Sequence, residues 1–271
     1  SASGDWSGSK ATSGTESVSP TANASYTITC TGAGGTTSRN ASVNISAPSG
    51  PITLPTLPTL LNFSYPQVMG TTWTVNSGGN LQTALNRAQR GDEIVLEAGA
   101  AFTGNFTLPA KSGTPSNGWV VIRSSQSSQL PSRGIRVSPA HAPLMPKILT
   151  PNVQPALTTT TSGVASGWWI TGVEVSVTPT YDTRYIQYGL VRLGSTGSTQ
   201  NTLAEVPTDI VLDRVYIHGL VDTPTSRCVE LNSGRTQISD SYLAECHVKG
   251  FDSQAILGWN GPGPFKIVNN M

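Results

Sequence analysis

Charge is what this sequence has least of. Charged residues make up 11% of its 271 residues, against about 25% in an average globular protein. The formal net charge is +1, so there is no basic excess to hold nucleic acid or an anionic membrane. No stretch approaches the ~20 apolar residues of a membrane span. There are three cysteines, three histidines and no C-x-x-C pair, which argues against a zinc site. A helical bundle is excluded by 28 Gly and 19 Pro, and a hydrophobic content of 37% excludes a highly charged disordered chain. What fills the sequence instead is Ser, Thr, Asn and Gly, a composition that goes with β-rich, loop-rich and secreted proteins. Residue 1 is a serine inside a low-complexity run, which reads as a processed chain or a fragment.

Three regions follow from the pattern. In residues 1–46, Tyr26, Ile28 and Cys30 alternate, as do Val43 and Ile45. Each set predicts a strand with one buried face, and Gly34-Gly35 a hairpin turn between them. Residues 47–67 form a Pro-rich linker in which Leu-Pro-Thr occurs twice; such segments are extended and semi-rigid, although Leu54, Leu57, Leu60 and Leu61 could also pack along the following domain. The third region is 68–271. It opens with a predicted helix over 80–90, with Asn80 as N-cap, Leu81, Ala84, Leu85 and Ala88 as its apolar stripe and Gly91 as its stop. Arg90-Gly91-Asp92 spells a cell-adhesion tripeptide, but a helix stop followed by a turn accounts for it.

After the helix a pattern repeats. Short β-rich runs end at Leu96, Ile122, Ile170, Leu212, Ile238 and Ile267, at spacings of 26, 48, 42, 26 and 29 residues. The last three runs continue into a polar pair and a second short run, as in Asp213-Arg214-Val215-Tyr216-Ile217. A recurrence of 20–50 residues marks a solenoid or a propeller. Coils of 26–29 residues with almost no helix suit a single-stranded parallel β-helix, with the helix at 80–90 covering the open end of the first coil. The longer gaps read as coils carrying long loops, or as two coils with one weak signal. Cys228 and Cys246 lie 18 residues apart; they could bridge, or sit as two buried thiols. Cys30 is left over.

The run from Trp73-Thr74-Val75 through the helix to Gly91-Asp92-Glu93-Ile94-Val95-Leu96 and Gly99 resembles the entry of pectate-lyase-like right-handed parallel β-helix proteins. Leu212-Asp213-Arg214-Val215-Tyr216-Ile217-His218-Gly219, Asp252-Ser253-Gln254-Ala255-Ile256 and Trp259-Asn260-Gly261-Pro262-Gly263-Pro264 resemble large secreted bacterial members of that group. Residues 1–46, through Ser7-Gly8-Ser9-Lys10-Ala11-Thr12-Ser13-Gly14 and Tyr26-Thr27-Ile28-Thr29-Cys30-Thr31-Gly32, resemble the end of a bacterial immunoglobulin-like repeat. The resemblance implies an all-β chain: a partial Ig-like β-sandwich segment, then a right-handed parallel β-helix that stops in mid-coil, in a secreted or cell-surface protein. It also implies a reaction. Enzymes on this fold often cleave acidic polysaccharides by β-elimination, with Arg or Lys as base and Ca²⁺ held by carboxylates to acidify the proton.

The expected catalytic residues are Arg214, His218, His247, Lys249 and Asp252, the clustered titratable groups of the last coils. Trp259 is the expected sugar platform, with Asn260 and Gln254 binding hydroxyls. Asp+Glu total only fifteen, which argues against a rich Ca²⁺ cluster. Arg214 and Asp240 fall at equivalent turns of successive coils and are placed to touch. Against the enzyme stands a second reading: a non-catalytic structural or adhesive surface protein that self-assembles by exchanging strands between copies of the chain.

Overall fold

The computed structural model describes residues 1–46, 60–195 and 197–271, and the chain divides into two compact units, Ser1–Leu57 and Pro58–Met271. Most of the expected linker, 47–59, lies outside the described residues.

In the first unit the described residues form one antiparallel sheet, with Ala24–Gly32 between Ala2–Gly4 and Gly35–Val43. Ala33-Gly34 closes the hairpin between the paired Gly32 and Gly35, and Gly35, which opens the next strand, has a positive φ of 113° that glycine tolerates. Tyr26 and Ile28 are half-buried, but so are Thr27 and Thr29 on the other face, and Cys30, Val43 and Ile45 are exposed, so the expected one-sided burial is not seen. Residues 1–46 therefore make a single sheet, and no second sheet covers it among the described residues. A single sheet is at most part of a sandwich, and three strands of small polar residues bury too little apolar surface to close one.

The second unit is a parallel β-solenoid. The chain visits three sheets in turn: a seven-stranded one beginning at Thr72–Val75 and ending at Phe265–Val268, a five-stranded one from Ala101–Thr103 to Tyr242–Ala244, and another from Phe106–Leu108 to Gln254–Leu257. They are called the first, second and third sheets below. Each strand pairs in parallel with the strand one coil away. Ile122, Ile170, Leu212, Ile238 and Ile267 lie opposite one another in a continuous row. Leu96 is not in that row. Ile94 takes the place beside Ile122 and Leu96 pairs with Ser124; because side chains alternate with period two, the two-residue offset leaves both on the inner face, and both are fully buried. Ile267, on the last coil, is 51% exposed because no further strand lies against it here. The wide spacings are single coils with long loops, at 125–146 in the second coil and at 178–190 and 194–207 in the third.

The helix is shorter than expected, Leu81–Arg87, with Asn80 Oδ1 accepting the Thr83 amide at 2.9 Å. It packs Leu81, Ala84 and Leu85 onto the end of the core. Asp92 ends it early: its carboxylate takes the Gln89 amide at 2.8 Å and also holds the Thr71 amide and the Trp73 indole. Arg90 reaches the other way, to Ser112 O at 3.0 Å and Ser166 Oγ at 2.9 Å. The Arg90-Gly91-Asp92 tripeptide is thus spent on the fold. Residues 60–66 are not a free linker either, since Phe63 and Tyr65 meet Trp119 and Trp169 edge-on at 5.2 and 5.3 Å on the outer face of the first sheet.

Cys228 and Cys246 form a disulfide between the strand Arg227–Leu231 and the loop that follows Tyr242–Ala244; Cys30 is a free, exposed thiol. A bridge closing a loop of this length is worth about 3 kcal/mol. Guanidinium unfolding with and without reductant should show a loss of that order. Thiol titration of the denatured, unreduced chain should find one thiol, at Cys30; three thiols, or equal midpoints, would contradict the bridge.

Candidate functional site

With Leu157, Val191 and Val229 in the core, alternate residues of the third sheet point outward. Thr107, Thr158, Arg192, Glu230 and Leu257 stand in one in-register row across five coils. Arg192 pairs with the buried Glu230. Thr107, Thr158, Thr160, Arg192 and Ser195 line a cavity of about 370 Å³ beside it. These are hydroxyls with one neutralised ion pair, a polar surface for a hydroxyl-rich ligand.

Arg227 stands outside that row, at the start of its strand and two residues before the core residue Val229. Arg227 lies in register beside Gln254, and its Nε and the Gln254 Oε1 are both buried without a hydrogen-bond partner. Among the described residues Arg227 makes no ion pair. Its guanidinium carbon stands 5.6 Å from the ring centre of Trp259, and that indole is 50% exposed. The buried Nε has no acceptor in the fold, which is unfavourable; a ligand carboxylate or hydroxyl at the guanidinium would supply charge-assisted bonds. Backbone bonds bring the loop 245–253 alongside: Thr225 N donates to His247 O at 3.2 Å, and Ser226 Oγ to Asp252 O at 2.8 Å.

Of the residues expected from sequence, His247, Lys249 and Asp252 lie in the loop before the strand Gln254–Leu257 of the fifth coil, Gln254 opens that strand, and Trp259 and Asn260 follow it; Arg214 and His218 lie elsewhere. Lys249 is exposed. His247 is exposed and 3.0 Å from Glu245. The Asp252 carboxylate accepts the Gln254 amide at 2.5 Å. Asn260 is consumed by neighbouring coils: its amide donates to Ser195 O and Gln200 O, and its backbone N, like that of Trp259, donates to Asn232 Oδ1. That holds Trp259 rigidly and leaves the Asn260 amide without a free donor for a sugar.

Arg214 belongs to the turn between the first and second sheets. It shares a positive φ with Gly172, Asp240 and Asn269, the equivalent residues of the neighbouring coils. The expected contact with Asp240 is not made. Arg214 binds Asp213 Oδ2 at 2.9 and 3.0 Å and Pro131 O at 3.0 Å, and is buried; Asp240 accepts the Gly134 amide and Asn269 Nδ2. The loop 125–146, lying over these turns, competes for both side chains. His218 is on the outer face of the second sheet. Its Nδ1 faces Gly219 O at 2.6 Å and its Nε2 faces Glu174 Oε1 at 3.2 Å. Both ring nitrogens are thus engaged by groups of the fold. Tyr216 stacks on the ring at 4.1 Å, and Lys147 pairs with Glu174.

Sequence reasoning missed Arg227, Arg192, Glu174 and Lys147. They sit on strands tens of residues apart, and register across coils is the signal that unites them. Among the described residues, no three His, Cys, Asp or Glu side chains converge as metal ligands. Nor is any helix among them long and apolar enough to cross a membrane.

No family model matches the sequence, and no curated protein matches it. Among solved structures the chain is similar to an alginate lyase from Paenibacillus sp. str. FPU-7, at 17% identity over 64% of this chain and 44% of that one, with a TM-score of 0.43. The chain thus spans less than half of that protein's length. A likeness this distant says nothing about residues or activity.

Glu174 yields a pH prediction. Burial opposes its ionisation, but hydrogen bonds from His218 and Lys147 outweigh burial and hold its carboxyl below the usual carboxylate range. Its contribution to stability is therefore present above the unfolded value of about 4.3 and is lost as pH falls through the lower folded value. Glu174→Gln should cost about 2 kcal/mol near neutrality. Urea unfolding across pH should show the two proteins converging in acid; a constant gap would contradict this.

Proposed function

We propose that this chain is a carbohydrate-active β-helix protein that holds an acidic polysaccharide against its third sheet. The observation that carries the reading is Arg227, half-buried and without an ion-pair partner among the described residues, beside the exposed Trp259 and the unpartnered Gln254 Oε1. A guanidinium takes a uronate carboxylate by charge-assisted bonds. The free face of an indole takes the apolar face of a pyranose ring, and an amide oxygen takes a hydroxyl proton. The coil is read as right-handed, the hand that parallel strand–crossover–strand connections almost always adopt, and as of the pectate-lyase-like type. A disulfide is at home in an oxidising compartment, which supports a secreted or cell-surface location.

The reaction that fits the pieces is β-elimination. Arg227 neutralises the carboxylate and so acidifies the proton on the adjacent ring carbon. A base on the loop 245–253 removes that proton. The electron pair forms the ring double bond, the glycosidic oxygen leaves, and it takes up a proton. With Arg214 buried in an ion pair and both His218 nitrogens engaged by the fold, the base is Lys249 or His247, with Asp252 positioning Gln254 beside the sugar. The same engagement of Arg214 and His218 favours a second reading, in which the face binds the polymer without cleaving it. Self-association of the first unit is also proposed: Gly35–Val43 is an edge strand exposed along all nine residues, open to a strand from another copy.

Oligouronates should bind the wild type, and Arg227→Ala should weaken binding roughly 10- to 100-fold, the worth of a charge-assisted hydrogen bond. Calorimetric titration measures this, and an unchanged affinity rejects the site. Ultraviolet absorbance of unsaturated product separates cleavage from binding. Full activity in both Lys249→Ala and His247→Ala would remove both residues as the base.

A further inference from the structure

The corner between the second and third sheets carries a separate cavity. It has a volume of about 370 Å³, mainly apolar walls, and Pro151, Asn152, Val153, Tyr181, Asp182 and Tyr185 as its lining. Tyr185 is 56% exposed, so one aromatic face is open to solvent. Tyr181 is 7% exposed, and its hydroxyl has no hydrogen-bond partner. A buried hydroxyl left unpaired is unfavourable and calls for a partner that the fold does not provide. Around it the frame is tied down. Tyr181 N and Tyr185 N close successive turns onto Thr178 O and Asp182 O, and Asn152 is held by Asn105 and by Gln187. Such pre-organisation lowers the entropy cost of binding.

We propose that this cavity binds an uncharged pyranose ring, its apolar face on Tyr185 and one hydroxyl bonded to Tyr181. The inference rests on the carbohydrate reading above and adds a subsite of different chemistry. A sugar hydroxyl both donates and accepts, as the Tyr181 hydroxyl does. Asp182 in the same wall is neutralised by Arg184, which pairs with it at 2.6 Å and lies 5.8 Å from the Tyr185 ring centre, so the wall carries no unpaired charge to select a charged ring. Burial, and then the charge of Asp182, push the Tyr181 hydroxyl above its ordinary range, so it stays protonated and neutral. Exposed aromatic surface continues along this corner. Tyr188 and Phe251, 6.0 Å apart, carry it from the third coil to the fifth, beside the loop next to Arg227. A glycan running along the solenoid axis thus meets a neutral-sugar subsite and a uronate subsite, as a heteropolymer of acidic and neutral units requires.

The test titrates the protein with β-linked hexasaccharides of glucose, mannose and xylose, and with hexauronates, by calorimetry and saturation-transfer NMR. At least one neutral hexasaccharide should bind. Tyr185→Ala should weaken it about tenfold and Tyr181→Phe roughly fivefold. The second variant keeps the ring and its packing, so a loss there reads the hydroxyl alone. Absence of neutral-sugar binding, or binding that Tyr185→Ala leaves unchanged, overturns the proposal. If hexauronates bind and neutral sugars do not, this cavity fails and the third-sheet site stands. If neutral sugars bind through the two tyrosines and hexauronates do not, the third-sheet reading fails and this one stands.

Discussion

In-register pairing between coils is the constraint on which the rest of the second unit depends. Strands stack at about 4.8 Å, so a residue is set beside its equivalents one coil before and one coil after. On the inner face this stacks Ile122, Ile170, Leu212 and Ile238 into a dry column. On the outer faces it stacks polar groups as strictly, and this places Arg192 on Glu230 and Lys147 on Glu174 although each pair is far apart in sequence. A slip of one residue would exchange the two faces, so core and site stand or fall together.

The same geometry divides labour around the solenoid. In the fourth and fifth coils the corner between the first and second sheets is a two-residue turn with a left-handed residue, Arg214 or Asp240, covered by the loop 125–146, which forms this same corner in the second coil. Charged side chains there have partners and serve the fold. The corners flanking the third sheet carry exposed aromatic residues, and a strand of that sheet opens with Arg227, which has no ion-pair partner among the described residues. Chemistry collects where loops vary in length and backbone bonds still hold them, as at Asn232, which fixes Trp259 through two amides.

Several features were legible in the sequence. Recurring aliphatic ends and the polar pairs after them gave the coil, and Asn80 with the stripe Leu81, Ala84, Leu85 gave the cap. Helix length was misjudged because Asp92 draws Gln89 into a turn, a contact made from beyond the helix pattern. The first coil was misaligned at Leu96 because Ile94 satisfies the same alternation. The grouping of Arg214 and His218 with the last coil came from proximity along the chain. A solenoid turns through a full coil in some 26 residues, so neighbours in sequence commonly lie on different faces.

By itself the sequence determined the all-β character, the repeat, the scarcity of charge and the residues available to bind a sugar, because composition and period are local properties of the chain. Only the tertiary structure decided which of those residues are free to do so. Whether an arginine is spent, as Arg214 is on Asp213, or unpaired, as Arg227 is, depends on what the adjacent coil and its loops bring within hydrogen-bond reach. The pairing of Cys228 with Cys246 is of the same kind: spacing allowed it, and the stacking of coils brought the two sulfurs together.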